Sequence, residues 1–297
     1  MTATTVSSAS STSTPPAARN TRGTRVRGRR NYLGGLLAWI WLAIIILPIY
    51  FIVVTSFKNQ GDYFTNNPLA PPIPPNFTPY VEVIEKGIGR YFINSVIVSV
   101  GAVVPVVLIS FLASYAIVRG DSRFLRFCRG LFLLGLAIPL QATIIPIYLI
   151  IIRLRMYDSL GALILPSIAF GIPLTVLILS SFLRDVPREL FESMKLDGCT
   201  DWQMAWRLAF PLTRPAIVTV AIYNGLNVWN GFLLPLILTQ SPDKRVMPLA
   251  LWAFQGEYQT NIPAVLAAVV LSTVPILVLY VVGRRQLLSG LTAGFGK

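Results

Sequence analysis

The sequence predicts an all-α integral membrane protein with six transmembrane helices, and three observations carry that prediction. Of its 297 residues, 54% are hydrophobic and only 12% are charged, where a soluble domain carries roughly 25% charged residues. Six stretches stay apolar over the about 20 residues that a helix needs to cross a bilayer. The 25 basic and 12 acidic side chains all fall between those stretches.

The predicted spans are Leu33–Phe57, Phe92–Val118, Leu131–Ile152, Ala162–Leu183, Ala216–Thr239 and Ile262–Val282. Ahead of them, residues 1–32 are rich in Ser, Thr and Ala and then in Arg, with no acid before Asp62. Such a composition cannot bury a core, so a disordered basic tail is expected. Within it, Arg29-Arg30-Asn31-Tyr32-Leu33 looks like a twin-arginine export signal. The apolar run behind it is far longer than the roughly 7–15 residues of a signal's hydrophobic region. Topogenic charge flanking the first span is the better reading.

Charge asymmetry gives the direction. Segments 1–32, 119–130, 184–215 and 283–297 carry six, four, five and three Lys or Arg, while 58–91, 153–161 and 240–261 carry three, two and two. Acids divide evenly, as expected where only Lys and Arg report topology. Both termini and segment 184–215 are therefore expected in the cytoplasm, and the net charge of +13 reads as topology rather than as a nucleic-acid face. Cys128 and Cys199 fall on the same side, so no structural disulfide is expected. The chain has no His, which removes most zinc sites and Ser-His-Asp chemistry. Outside, Asn67–Tyr80 reads NPLAPPIPPNFTPY. Its prolines fix φ and remove donors, predicting a stiff extended connection. A docking surface for an external protein and a plain spacer both fit it.

Two absences narrow the function. No phosphate-cradling G-x-x-x-x-G-K-[ST] loop occurs, so the chain has no ATPase of its own. No predicted span holds Asp, Glu, Lys, Arg or His, whereas ion-coupled transporters usually keep such a group in the membrane. A channel fits, and so does a transporter driven by a partner.

Residues 184–215, RDVPRELFESMKLDGCTDWQMAWRLAFPLTRP, are a charged interruption in this apolar chain. Asp185 is placed to cap a first helix, with Pro187 in its first turn and the end near Leu196. Gly198 permits a left-handed corner. Thr200 and Gln203 have the spacing of a capping box, and the second helix is expected to stop before Pro211. The product is a rigid elbow able to carry force from a partner to the adjoining spans. A plainer reading also stands: Trp202 and Trp206, four apart, could lay the second helix on the lipid interface, and Arg188 with Glu192 could be an ordinary surface pair.

The spacing of this loop resembles that of permease subunits of carbohydrate ATP-binding-cassette (ABC) importers. Glu192 takes the glutamate of their signature, Gly198 the glycine, Leu208 the hydrophobic position and Phe210-Pro211 the end. Ser193 and Met194 stand where that family has two alanines, and Phe210 where it has leucine. Tyr91-Phe92-Ile93-Asn94-Ser95 is similar to the start of the permease core, and Pro139-Leu140-Gln141-Ala142-Thr143-Ile144-Ile145-Pro146 to its third span. Gly290-Leu291-Thr292-Ala293-Gly294 is similar to the end of the maltose-type permease that carries a C-terminal extension. The resemblance covers roughly residues 35–297.

It implies the type I ABC importer permease fold in the cell membrane, with a permease domain over 33–282 and a cytoplasmic tail over 283–297. It implies a permease that is not an enzyme, forms half of a pathway for di- or oligosaccharides, and holds no cofactor, ATP being bound by the partner subunit. The implied partners are a non-identical second permease, a cytoplasmic ATPase dimer and an extracytoplasmic solute-binding protein, within membrane lipid. Glu192, Ser193, Met194, Asp197, Gly198 and Pro211 would couple to the ATPase, and Gly290, Leu291, Thr292, Ala293 and Gly294 would touch it. A stand-alone channel or facilitator for small polar solutes is the alternative.

Sugars are held by amides, hydroxyls and aromatic faces. The fifth span supplies Tyr223, Asn224, Asn227, Trp229 and Asn230, and Gln141 with Thr143 forms a second set. Asn224, Asn227 and Asn230 follow at i, i+3 and i+6, along one side of a helix. Interhelical hydrogen bonding accounts for the same amides equally well.

Overall fold

The computed structural model describes residues 32–250 and 260–293 and is helical, with no strand among those residues. In chain order the helices are α1 (Tyr32–Thr55), α2 (Gln60–Thr65), α3 (Thr78–Glu85), α4 (Ile88–Arg119), α5 (Arg123–Leu136), α6 (Leu140–Arg153) and α7 (Leu160–Arg184). There follow α8 (Arg188–Leu196), α9 (Asp201–Met204), a π-helical turn (Ala205–Ala209), α10 (Phe210–Leu212), α11 (Arg214–Trp229), α12 (Leu233–Leu238), α13 (Met247–Ala250) and α14 (Ile262–Ala293). The predicted tail falls largely outside the described residues.

The chain forms two compact units, the first ending at Ile46. Its described part is the start of α1, where every side chain from Tyr32 to Ile46 is exposed. A helix apolar on all sides over this length has the pattern of a membrane span.

The second unit is built on α4 and α7, which make the most extensive helix pairing, with α11 packed on both. Ser110 and Ser114 of α4 donate to the carbonyls of Ile172 and Val176 on α7, at 3.5 and 3.1 Å. Small hydroxyl residues let two apolar helices approach and bond across the seam.

Helices α1, α4 and α7 are each long and apolar enough to cross a membrane. Two other predicted spans are not simple rods. The expected helix Leu131–Ile152 is divided into α5 and α6, which meet at 106°. Pro139 is the cause, because a residue preceding proline is pushed out of the α region. The expected helix Ala216–Thr239 is interrupted after Trp229 and resumes at Leu233. The sixth begins at Ile262 as expected but continues as helix to Ala293, beyond its apolar part Ile262–Val278.

The proline-rich segment is tied down rather than free. Lys58, buried at the end of α1, donates its Nζ to the carbonyls of Asn67 and Pro68 at 2.8 and 3.0 Å. Its last residues, from Thr78, already belong to α3.

Candidate functional site

Helix α7 closes with the Asp185 N–H bonded to the Phe182 carbonyl. Asp185 therefore keeps helical torsions (φ −76°, ψ −11°), and Pro187 at φ −54°, ψ 135° is the N-cap of α8. The N-cap position of α8 therefore falls on Pro187 rather than on the expected Asp185. Among the described residues no ion pair joins Arg188 to Glu192.

Helix α8 has a sharply divided surface. Phe191 is 1% exposed and Met194 packs against the same core, whereas Glu192, Ser193, Asp197 and Gly198 are exposed and Leu196 is 90% exposed. The Phe191 ring lies under the Arg119 guanidinium, 4.0 Å from it, and 6.3 Å from the Tyr115 ring. A cation over an aromatic face is attracted by the ring quadrupole.

The corner after α8 is a Schellman motif. The Gly198 N–H bonds the Lys195 carbonyl at 3.1 Å and the Cys199 N–H bonds the Met194 carbonyl at 3.0 Å. That geometry puts Gly198 at φ +81°, a left-handed conformation costing a side-chain-bearing residue about 1–2 kcal/mol. Two residues on, the capping box is complete: Gln203 N–H donates to Thr200 Oγ1 (3.3 Å) and Thr200 N–H to Gln203 Oε1 (2.9 Å).

The second helix does not stop before Pro211. A π turn carries it through, with the Phe210 N–H reaching back five residues to the Ala205 carbonyl. The widened turn relieves the clash between a proline ring and the carbonyl four residues earlier. The break comes at Thr213, whose N–H and Oγ1 both bond the Ala209 carbonyl, at 3.0 and 2.7 Å. Trp202 and Trp206 touch edge to face, 5.6 Å between ring centroids, but differ in burial. Trp202 is 62% exposed, while Trp206 stacks inward on Phe111 and Phe210 at 5.5 and 5.1 Å. The helix is therefore anchored in protein and is not a free interfacial helix.

Phe191, Met204, Ala205 and Ala209 share one hydrophobic cluster with Phe111 and Tyr115 of α4, Leu179 and Leu183 of α7, and Ile217 and Val220 of α11. Interiors are close-packed and transmit strain. A push on the exposed side of α8 therefore reaches three long helices at once.

A second feature lies where the two predicted spans break. A cavity of about 230 Å³ is lined by Leu140 and Gln141 at the start of α6 and by Gly231, Phe232 and Leu233 at the start of α12. Asn227 and Ser167 add polar groups. Irregular backbone at membrane depth belongs where it is buried in protein or lines a wet cavity.

The remaining sequence candidates do not converge there. Asn224 is buried and donates to Thr175 Oγ1 (2.9 Å) and the Val220 carbonyl (2.8 Å). Its Oδ1 lies so near Gly171 that a Cβ added there would sit 2.8 Å away. Asn224 thus serves the α11–α7 seam. Trp229 donates Nε1 to the Ser272 carbonyl at 3.4 Å, fastening α11 to α14. Tyr223, Asn227 and Asn230 are exposed, and the two amides bond carbonyls one turn back at 2.9 and 2.8 Å. Steps of three residues drift around a helix of 3.6 residues per turn, which separates Asn224 from Asn230. Residues Gly290, Leu291, Thr292 and Ala293 end α14, and Gly294 lies outside the described residues.

Three polar side chains carry more than the sequence suggested. Asn94, 7% exposed, donates to the carbonyls of Asp243 and Arg245 at 2.9 Å each, and the Met247 N–H donates to Ser95 Oγ at 2.8 Å. Asp158, at φ +59°, accepts from the Gln240 and Ser241 N–H groups at 2.8 and 3.0 Å and from the Ser241 hydroxyl. These donors, the Ser241 hydroxyl foremost, hold its carboxyl below the usual carboxylate range. Together the three residues fix the start of the segment after α12.

Residues 95–287 match the family described as "Binding-protein-dependent transport system inner membrane component", and the chain belongs to that family. It is 37% identical over 255 residues to "Putative ABC transporter permease protein ORF2" of Caldicellulosiruptor sp. (strain Rt8B.4), covering 86% of this chain and 93% of that one. It is 32% identical over 258 residues to "Diacetylchitobiose uptake system permease protein NgcG" of Streptomyces coelicolor, covering 86% and 85%. Among solved structures, a bacterial ABC transporter involved in the import of the acidic polysaccharide alginate superposes with a TM-score of 0.76 at 18% identity, over 86% of this chain and 95% of that chain. That likeness supports the type I importer permease fold.

Proposed function

We propose that this chain is one permease half of an ATP-driven importer of di- or oligosaccharides, working with a non-identical second permease, a cytoplasmic ATPase dimer and an external solute-binding protein. The carrying observation is the elbow. Glu192, Ser193, Asp197 and Gly198 face outward on a helix whose inner face, Phe191, is sealed into the core that joins α4, α7 and α11.

In this reading both termini and the elbow lie in the cytoplasm. Closure of the ATPase around α8 drives the elbow, and the shared core carries the movement to the spans. Met194 faces the cluster, so a residue larger than alanine there fills the protein's own core and leaves the outward face free. Pro211 would be part of the stiff second arm. The cavity at the two helix breaks, with Gln141 and Asn227, is the proposed solute pathway in this half, and the end of α14 (Gly290 to Ala293) is the proposed tail contact with the ATPase. Family membership and the sugar-transport name of the Streptomyces relative support this reading over a stand-alone channel.

The test is affinity purification of the tagged chain from native membranes in mild detergent, followed by mass spectrometry. Recovery of a second permease and an ATPase is the expected result, and the ligand of a recovered binding protein would identify the solute. Repeated recovery of this chain alone would overturn the proposal.

A further inference from the structure

Beside the elbow, a cavity of about 450 Å³ opens between the end of α4, the start of α5 and the end of α7. Five arginines line it, Arg119, Arg126, Arg129, Arg184 and Arg188, against one acid, Asp121. None of the five enters an ion pair among the described residues. Topology alone asks only for positive charge on this side of the membrane. It does not ask that three helix ends gather that charge around a hollow.

Two further features point to what fills it. A smaller cavity of about 120 Å³ shares Arg129 and Arg184 with the first and runs beside apolar residues of α5 and α7. In it lies Ser180, 6% exposed, its Oγ without a hydrogen-bond partner among the described residues. A buried hydroxyl left unpaired costs free energy, so a ligand oxygen belongs near it. Helix α5 also has opposed faces: Phe124, Phe127 and Leu134 are 70%, 63% and 66% exposed, while Arg126 and Arg129 lie across the helix. That is the pattern of a helix lying between lipid tails and headgroups.

We propose that these cavities bind the phosphate headgroup of an anionic glycerophospholipid, with its glycerol region toward Ser180. The inference rests on the cytoplasmic assignment of this end. Basic pockets between membrane helices on that side suit such headgroups, and arginine forks match phosphate oxygens. Arg119 also covers Phe191, so the bound lipid would sit against the seat of the elbow.

Native mass spectrometry of the full chain tests this, with phosphatidylglycerol and phosphatidylcholine of identical acyl chains as probes. The wild type should retain phosphatidylglycerol preferentially. Each arginine is worth about fivefold near an anionic surface, so R126Q with R129Q should reduce the preference by about 25-fold. The control R153Q with R155Q, at the other end of the helices, should keep it. Equal retention of both lipids, or an unchanged preference in R126Q/R129Q, would overturn the proposal. So would displacement of the lipid by millimolar inorganic phosphate, which would make the site one for a soluble phosphate. A preference transferred to ATPase retention, with lipid binding unaffected, would assign the arginines to the ATPase face instead and equally overturn it. Labelling of Cys128 by an impermeant thiol reagent reports the sidedness separately: labelling from outside only would sink the orientation without touching the lipid result.

Discussion

The Arg119 guanidinium covers the buried ring of Phe191 at 4.0 Å, joining the last turn of α4 to the middle of α8. Phe191→Ala would remove both the ring and the cation's seat. Burying a phenylalanine is worth about 3–5 kcal/mol when truncated in a core. The expected outcome is a chain that reaches the membrane but in which ATP hydrolysis by the assembled importer no longer drives uptake. Uptake and hydrolysis measured together in vesicles check it, and tight coupling in the variant would argue against the seat.

Gly198 separates conformation from space. Apart from Gly198 itself and its two chain neighbours, no described atom lies within 4 Å of where its Cβ would be, yet its φ is +81°. Gly198→Val should cost at least the about 1–2 kcal/mol of a left-handed residue and uncouple hydrolysis from uptake. Gly198→Asn, which tolerates that backbone, should retain more uptake than the valine variant. Equal loss in both would mean that a partner approaches the backbone closely at this corner.

Asn94 holds two carbonyls at the start of the segment after α12. Asn94→Ala leaves both without their donor, at about 1–3 kcal/mol. Local opening should then raise trypsin cleavage after Arg245 by about tenfold, and an unchanged cleavage rate would contradict the anchoring role.

The Asp158 carboxyl is held low by the Ser241 hydroxyl and the Gln240 and Ser241 N–H groups. Its stabilising charge is fully present above the unfolded pKa of about 3.9 and is lost as pH falls through the lower folded value. Thermal stability should therefore drop in strong acid. Asp158→Asn should be less stable near neutrality by about 1 kcal/mol and should lack that acid step. An identical acid profile in wild type and variant would remove Asp158 from the account.

Much of this was legible in the sequence. The Thr200–Gln203 box and the Gly198 corner followed from local chemistry and are both present. The ends of α4 and α7 lie within a few residues of the charges that bound their apolar runs. The breaks at Pro139 and Asn230–Phe232 were not foreseen, because hydropathy is blind to backbone direction inside an apolar run. Proline at 139 was the available signal. The π turn at Ala205–Ala209 depends on how Trp206 and Phe210 pack on Phe111, a tertiary fact with no local mark. The same holds for Asn224, whose neighbour Thr175 is 49 residues away in sequence.

The exposed side of α8 is the surface proposed to meet a partner ATPase. Ser193→Cys, in a chain where Cys128 and Cys199 are replaced by serine, puts a single thiol on that side. Thiol-to-amine cross-linking in native membranes, with the adduct identified by mass spectrometry, should yield an ATP-binding subunit, with a yield that changes when ATP is added. A thiol that reacts freely with small reagents yet joins to no ATP-binding protein would contradict the account.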